Sequence, residues 1–569
     1  MKTKFNRWLP KSIESLSWYS RKDIAADITA GITVGLVALP MSMAFGIASG
    51  VTPQAGIYTA VIAGFLISAL GGSRTQIGGP TGAFVVVIAS IIATHGLSGL
   101  LMVTMMAGFI LLFLGLTGLG NAVKFIPRPV IIGFTNGIAI LIASTQIKDF
   151  LGLKVKGGGP SEFLGRMRFL GENLGSLDVL TIVIAVASLL VILLMPRITK
   201  RIPGSIIALV IATACVGFFN IPVETIGSKF GGIPVGLPKL QIPELRPDLI
   251  MPLLPSAMTV ALLAAIESLL SAVVADSMSG DRHNSNVELV AQGVANLASP
   301  LFGGIPVTGA VARTATNIRS GGRSPMAGII HALTLLCIIL FAAPLARFIP
   351  LATLAAVLFV VSYNMGEWRE IPMILKLDVK DIAVWVITFA LTVMADLTIA
   401  VEVGMMLAAL LYIYQVSRTT VVAPLTADTI AKAKHHHLLD MPIPQYVSLL
   451  HIQGPFLFGA AEKLNTMTID DLKPVVILRL RYMTAIDATG LHAIEQLYER
   501  LHASGRTLII CGTRGQPKRL IYTSPLPRLI GTRNVRPHIG SALKRAEEIQ
   551  DRFGGVGEEA AHGLAAAAV

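Results

Sequence analysis

Apolar residues fill most of the first 418 positions, in stretches near twenty residues long with short polar breaks between them. They run roughly over 28–49, 54–71, 80–94, 97–118, 129–148, 177–195 and 203–220, and after a polar interval over 251–275, 286–302, 307–318, 325–346, 350–364, 381–398 and 400–417. About twenty apolar residues of helix cross the hydrocarbon of a bilayer, so the pattern predicts an α-helical polytopic membrane protein with 14 spans. Seven stretches lie on each side of 221–250. An odd number sends the second set into the membrane the other way round, which predicts 7+7 inverted repeats. Past residue 418 the period changes. Tyr446–Ile452, Val475–Leu480 and Thr507–Cys511 read as strands, alternating with helices over Phe458–Asn465, Gly490–Ala503 and Lys518–Leu526. Such alternation predicts a small α/β domain with a mainly parallel sheet. The predicted order is an N-terminal segment 1–27, a transmembrane domain 28–418, a linker 419–441, the α/β domain 442–553 and a disordered Gly/Ala-rich tail 554–569.

Composition agrees with a membrane protein. Of the 569 residues 53% are hydrophobic and only 14% charged, against about 25% charged in soluble domains. A net charge of +13 would suit nucleic acid, but basic residues flanking membrane spans on the cytoplasmic side explain it better. With the N-terminus inside, the inner segments 1–27, 72–77, 119–128, 196–202, 277–285, 319–324 and 365–380 hold 18 Lys and Arg, and the outer segments 149–176, 221–250 and 347–349 hold 8. Both termini are therefore expected in the cytoplasm, with the inner membrane as the site. The start of the chain has no cleavable signal pattern. Cys215, Cys337 and Cys511 are far apart and predict free thiols. His435-His436-His437 lies in the polar linker without ligand spacing, so no metal is expected. No GxxxxGK[ST] sequence and no nucleophile–base set occurs, which argues against ATP hydrolysis, enzymatic catalysis or a cofactor.

Two glycine-rich stretches look like copies. Gly78-Gly79-Pro80-Thr81-Gly82-Ala83 sits in the third apolar stretch, and Gly303-Gly304-Ile305-Pro306-Val307-Thr308-Gly309-Ala310 leads into the tenth. Gly and Pro break helices, and broken backbone survives at membrane depth only where protein or a watery cavity satisfies it. Matching breaks in two halves of a membrane chain point to a transporter's binding site.

The stretches Ile32–Ser49, Gly71–Thr81, Ala265–Gly280, Asn286–Asn296 and Phe302–Asn317 resemble the SulP family of anion transporters. Ile486-Asp487-Ala488-Thr489-Gly490-Leu491 is similar to the loop–helix signature of the STAS domains that follow the last span in that family. The resemblance covers about residues 20 to 545. It implies a gate domain, a core domain and a homodimer. The bacterial wording is closest to C4-dicarboxylic acid uptake proteins, and sulfate and bicarbonate carriers share most of the same motifs.

Half-helices starting at Thr81 and Thr308 would expose their first N–H groups to a small anion. Gly82, Ala83, Gly309 and Ala310 would let the backbone approach it. Each threonine could instead simply cap its helix. Arg313 is the only charge over 301–318, and the matching position in the first motif is Val86. The resemblance puts the family's anion-site arginine on Arg313; a structural bridge to Glu267 is the alternative. Glu267 is the only charge between Asp248 and Asp276, and the resemblance makes it the residue that couples transport to a proton or sodium. Met41 and Phe45, one turn apart after a helix-breaking Pro40, fall where the family lines its site, though such a pair also serves plain packing. Asp276, Asp281, Arg282 and His283 read as a solvated loop, and Asp396 and Glu402 as a link between gate and core. Thr489 matches a position phosphorylated in some STAS regulators, and a cytoplasmic protein is the candidate partner of that domain. The expected function is secondary transport of sulfate, a C4-dicarboxylate or bicarbonate without ATP. An anion channel or exchanger lacking cation coupling, a voltage-driven motor and a membrane-tethered STAS regulator stay open beside it.

Overall fold

The computed structural model describes residues 8–551, apart from 16, 18, 121–126, 155–159, 161, 200–202, 234, 235, 237, 245, 396 and 426–442. The apolar stretches become helices: α1 Arg21–Ala48, α2 Pro53–Leu70, α3 Ala83–Leu116, α4 Arg128–Leu151, α5 Val179–Ile198, α6 Gly204–Phe219, α7 Ile250–Ser279, α8 Ser285–Leu301, α9 Val311–Arg319, α10 Pro325–Ala346, α11 Leu351–Met365, α12 Val379–Met394 and α13 Leu397–Thr419. Among the described residues, eight helices are long and apolar enough to cross a membrane. The protein is a multi-pass membrane protein.

One sequence expectation is corrected here, and another holds. The stretches 80–94 and 97–118 are two helical segments within α3, separated where Gly96 leaves helical geometry with φ 67° and ψ −171°. Gly96 supplies that conformation at no steric cost. Pro40 does not break α1, which runs through it as one helix. The missing N–H is tolerated because neighbouring helices support the turn.

The helices group into two bundles within residues 1–408. α1, α2, α3, α7, α8, α9 and α10 pack mainly on one another, and α4, α5, α6, α11 and α12 form the second set. They meet chiefly where α1 touches α11 and α6, and where α3 touches α4. Small residues set the approach. A Cβ on Gly293 of α8 would stand 2.7 Å from the Leu112 backbone nitrogen and 2.9 Å from the Gly108 carbonyl oxygen of α3. Only glycine admits so close a crossing, and in lipid such packing replaces the hydrophobic drive between helices.

The loop 276–283 is not solvated as expected. His283 Nδ1 meets Asp276 Oδ2 at 2.7 Å, and Arg74 bridges Asp281 at 3.1 Å and Glu14 at 2.9 Å. Asp396, His435–His437 and the tail 554–569 lie outside the described residues, as does the side chain of Glu402.

The second unit, residues 409–569, carries a five-stranded sheet. After two short strands in the first unit, β1 Gly78–Gly79 and β2 Thr308–Gly309, strands β3 Val421–Pro424, β4 Val447–Phe456, β5 Val475–Ile486, β6 Thr507–Cys511 and β7 Val535–Arg536 lie in that order, β3 antiparallel to β4 and the rest parallel. Helices α14 Phe458–Asn465, α15 Ala488–Ala503 and α16 Gly515–Thr523 alternate with them. The sheet buries apolar residues on both faces, as crossover connections require. Cys511 lies within it, and burial pushes its thiol up to about 12, leaving it an inert core residue.

One carboxylate organises the sheet's rim. Asp487 accepts a hydrogen bond from Gly490 N at 2.7 Å and from Phe458 N at 3.0 Å, so it caps α15 and α14 together. Asp487→Ala removes both charge-assisted bonds and is expected to cost about 2–3 kcal/mol, measured by urea denaturation of a fragment spanning residues 420–551. A loss under about 0.5 kcal/mol, the size of an ordinary surface change, would show that solvent replaces the cap.

Candidate functional site

The two glycine-rich breaks meet inside the first bundle. Gly78–Gly79 runs antiparallel to Thr308–Gly309, with Gly78 opposite Gly309 and Gly79 opposite Thr308. Ala310 N donates to the Ile77 carbonyl at 2.8 Å, and Ile77 N donates to Thr314 Oγ1 at 3.1 Å. Non-helical backbone in a membrane interior must be hydrogen-bonded by protein, and each break supplies partners for the other. Side chains from α2 and α8 complete the scaffold. Asn296 holds Val307 at both its N–H (3.0 Å) and its carbonyl (2.8 Å). Ile305 N donates to Thr59 Oγ1 at 2.7 Å, and Glu288 accepts from Gly72 N and from Gln292 Nε2, each at 2.9 Å.

The threonines do not cap. Thr81 Oγ1 donates to Glu267 Oε2 at 2.8 Å, and Thr308 Oγ1 donates to the Ala264 carbonyl at 3.0 Å. Ser268 Oγ lies 2.6 Å from Thr308 Oγ1 and accepts from Gly309 N at 3.0 Å. The helices start later than expected, at Ala83 after Gly82 and at Val311 after Ala310, and neither has a side-chain cap. In α3, Phe84 N and Val85 N turn back to the Thr81 and Gly82 carbonyls at 3.4 and 3.0 Å, and the aligned peptide dipoles make the start of each helix favourable to negative charge.

Arg313 is fully buried. Its Nη2 donates to Ser42 Oγ and to the Pro80 carbonyl, both at 3.1 Å, while Nε and Nη1 have no hydrogen-bond partner among the described residues. A Cβ on Gly79 would stand 1.9 Å from Nη1. The guanidinium of one half therefore lies on the glycine strand of the other. The alternative of an Arg313–Glu267 bridge is not realised: the described salt bridges include no such pair, and Glu267 is held by Thr81 instead. Val86, matching Arg313, packs against the apolar core.

Phe45 is buried against Gly82, where a Cβ would come within 3.3 Å of its ring, 2.9 Å of Ile142 in α4 and 3.2 Å of Met365 in α11. Gly82 thus marks the seam between the two bundles. Met41 is buried in the same apolar core. Thr489 is far along the chain, exposed in the first turn of α15. Sequence reasoning missed Ser42, Glu288 and Asn296. Glu288, Gln292 and Asn296 recur every fourth residue, a polar helix face that was readable in an otherwise apolar stretch.

Comparisons with known proteins identify the family and the fold. Residues 24–388 match the family model "Sulfate permease family", and residues 439–542 match the STAS domain. YvdB of Bacillus subtilis, a protein whose name assigns it provisionally to sulfate transport, is 42% identical over 88% of this chain and 94% of its own. The bicarbonate transporter BicA of Picosynechococcus is 33% identical over 88% of this chain and 90% of its own. Among solved structures, the transmembrane domain of a cyanobacterial BicA matches with a TM-score of 0.61 at 35% identity, covering 69% of this chain and 98% of that one. The structure of SLC26A9 shares the fold, with a TM-score of 0.84 at 18% identity over 96% of this chain and 94% of that one.

Gly79→Ala is expected to displace Arg313 and weaken anion binding at least tenfold, about 1.4 kcal/mol, with the protein still inserted. Gly171→Ala, where an added Cβ meets nothing within 4 Å, is the control expected to match the wild type. Equal affinity in Gly79→Ala and wild type would separate the strand from the anion.

Proposed function

The chain belongs to the sulfate permease family, and from that premise we propose that it is a secondary active carrier of a small anion, working by alternating access rather than catalysis. The observation that carries this reading is Arg313, a buried cation with two uncommitted nitrogens beside two uncapped helix ends. An anion can take up those N–H groups without a further buried charge. Relatives named for sulfate and for bicarbonate make these the leading substrates, with a C4-dicarboxylate third. In this reading Thr81, Gly82, Ala83, Thr308, Gly309, Ala310 and Arg313 face the anion, and Met41 and Phe45 close the wall behind it. The bundle that carries both glycine strands moves against the one formed by α4, α5, α6, α11 and α12.

Glu267 couples the movement to a proton or sodium ion. Its carboxylate is hydrogen-bonded to Thr81, two residues before α3 begins at Ala83. Neutralising it therefore changes the hold on that segment directly. The protein works as a homodimer in the inner membrane with both termini in the cytoplasm, where Thr489 offers the STAS domain a modification site for a protein partner.

The test is uptake into proteoliposomes of labelled sulfate, succinate and bicarbonate, with and without proton and sodium gradients. Saturating, gradient-driven accumulation supports the carrier. Flux at channel rates, or none, overturns it in favour of a channel or a regulator. Under the same gradient, Glu267→Gln is expected to lose accumulation and keep anion exchange; wild-type accumulation in that variant removes Glu267 as the coupling residue. Deleting residues 440–569 is expected to lower expression while leaving uptake in the protein that inserts, because the anion-site residues all precede Ile318. Inserted truncated protein with zero uptake would make the STAS domain part of the transport cycle.

A further inference from the structure

α10 is an apolar helix with a single histidine. His331 is fully buried, and both its ring nitrogens lack a hydrogen-bond partner among the described residues. The ring faces the Val34 carbonyl of α1 without reaching hydrogen-bond geometry. Nε2 points toward α2 and the first glycine strand: a Cβ on Gly64 would lie 3.9 Å from it and 3.0 Å from the Gly78 carbonyl oxygen. Arg313 presses on the next residue, Gly79. A cation and a base thus flank one strand, the guanidinium at Gly79 and the imidazole near Gly78. Buried polar atoms without partners are rare and need a reason.

We propose that His331 is a protonation site linked to the transported anion through Arg313, a second proton acceptor beside Glu267. The proposal rests on the transport reading above. Two positive charges in a dry interior repel strongly. With the anion site empty, a proton on His331 would stand beside an uncompensated Arg313. An anion on the free Arg313 nitrogens cancels one charge, and His331 then accepts a proton from water, its ring facing the Val34 carbonyl. When the anion leaves, the proton returns to water on the side the site then faces. Anion and proton therefore travel together without touching.

The surrounding charges leave this link undisturbed. On the elements packed against α10, Asp23 and Asp27 sit at the start of α1, bound to Arg323, Ser324 and Tyr19. Arg21 and Lys22 share that end of α1, Tyr58 lies on α2, and Lys11 and Glu14 pair with each other in the short N-terminal helix. The charge on the strand that His331 faces is Arg313 of α9, at Gly79, and burial itself also opposes a charge on the ring. Glu288 is committed to Gly72 and Gln292, and Glu267 to Thr81.

The full-length protein in nanodiscs, with sulfate as the probe, tests the link. Binding and proton uptake must be reciprocal, so wild-type sulfate affinity is expected to rise as pH falls, by up to about tenfold per pH unit for each linked proton. Proton uptake per bound sulfate, followed with a dye in weak buffer, is expected to fall in His331→Gln, to fall separately in Glu267→Gln, and to vanish in the double variant. Infrared difference spectra of wild-type protein carrying isotope-labelled histidine give a readout that needs no variant: sulfate addition should produce an imidazolium band that the same protein without sulfate lacks. Sulfate binding with no such band, or a wild-type proton count in His331→Gln, overturns the proposal and leaves the carrier reading intact. Failure of the wild type to bind sulfate, succinate or bicarbonate overturns both.

Discussion

Backbone that leaves its helix inside a bilayer has nowhere to send its N–H and C=O groups except to other protein. That constraint shapes the centre of this molecule. Ile77–Gly79 and Thr308–Ala310 come from opposite halves of the chain and satisfy one another. The polar side chains of α2, α7 and α8 finish what the strands leave open: Thr59, Ser268, Glu288 and Asn296 each hold a backbone group of a break. Once the breaks are fixed, α3 and α9 must begin beside them. Two electropositive helix ends converge as a by-product of hydrogen-bond bookkeeping in a dry environment.

The charges of the site divide their work. Arg313 reaches across the crossing to Ser42 and Pro80, and Glu267 holds Thr81. Had they paired, each would have neutralised the other, and the site would offer an anion little. Kept apart, the arginine presents free N–H groups while the carboxylate stays available to a cation. Separation leaves the two charged groups of this bundle independently available.

The apolar stretches, the two breaks and the α/β unit could be read from the chain because each rests on local physics. Hydrophobic length marks a span, glycine and proline mark a break, and Phe458–Asn465 and Thr507–Cys511 form as the pattern predicts. What escaped depends on distant partners. β3 was taken for linker because it is short, ends at Pro424 and owes its pairing to β4. β7 is two residues long and exists only against β6. Thr81 and Thr308 look like caps in sequence, and tertiary partners claim their hydroxyls instead. Pro40 would break an isolated helix but is carried by its neighbours. His331 gave no signal at all, since one histidine in an apolar helix reads the same whether it faces lipid, core or a charge.

The contact between Gly79 and Arg313 also bears on how this sequence can drift. With Nη1 1.9 Å from any added Cβ, no side chain fits at 79 while the guanidinium stays where it is. Position 79 therefore takes a side chain only if the guanidinium swings off the strand or is lost, and either way the buried cation leaves the crossing of the two breaks. The two positions share one volume, and glycine at 79 is what assigns that volume to the arginine.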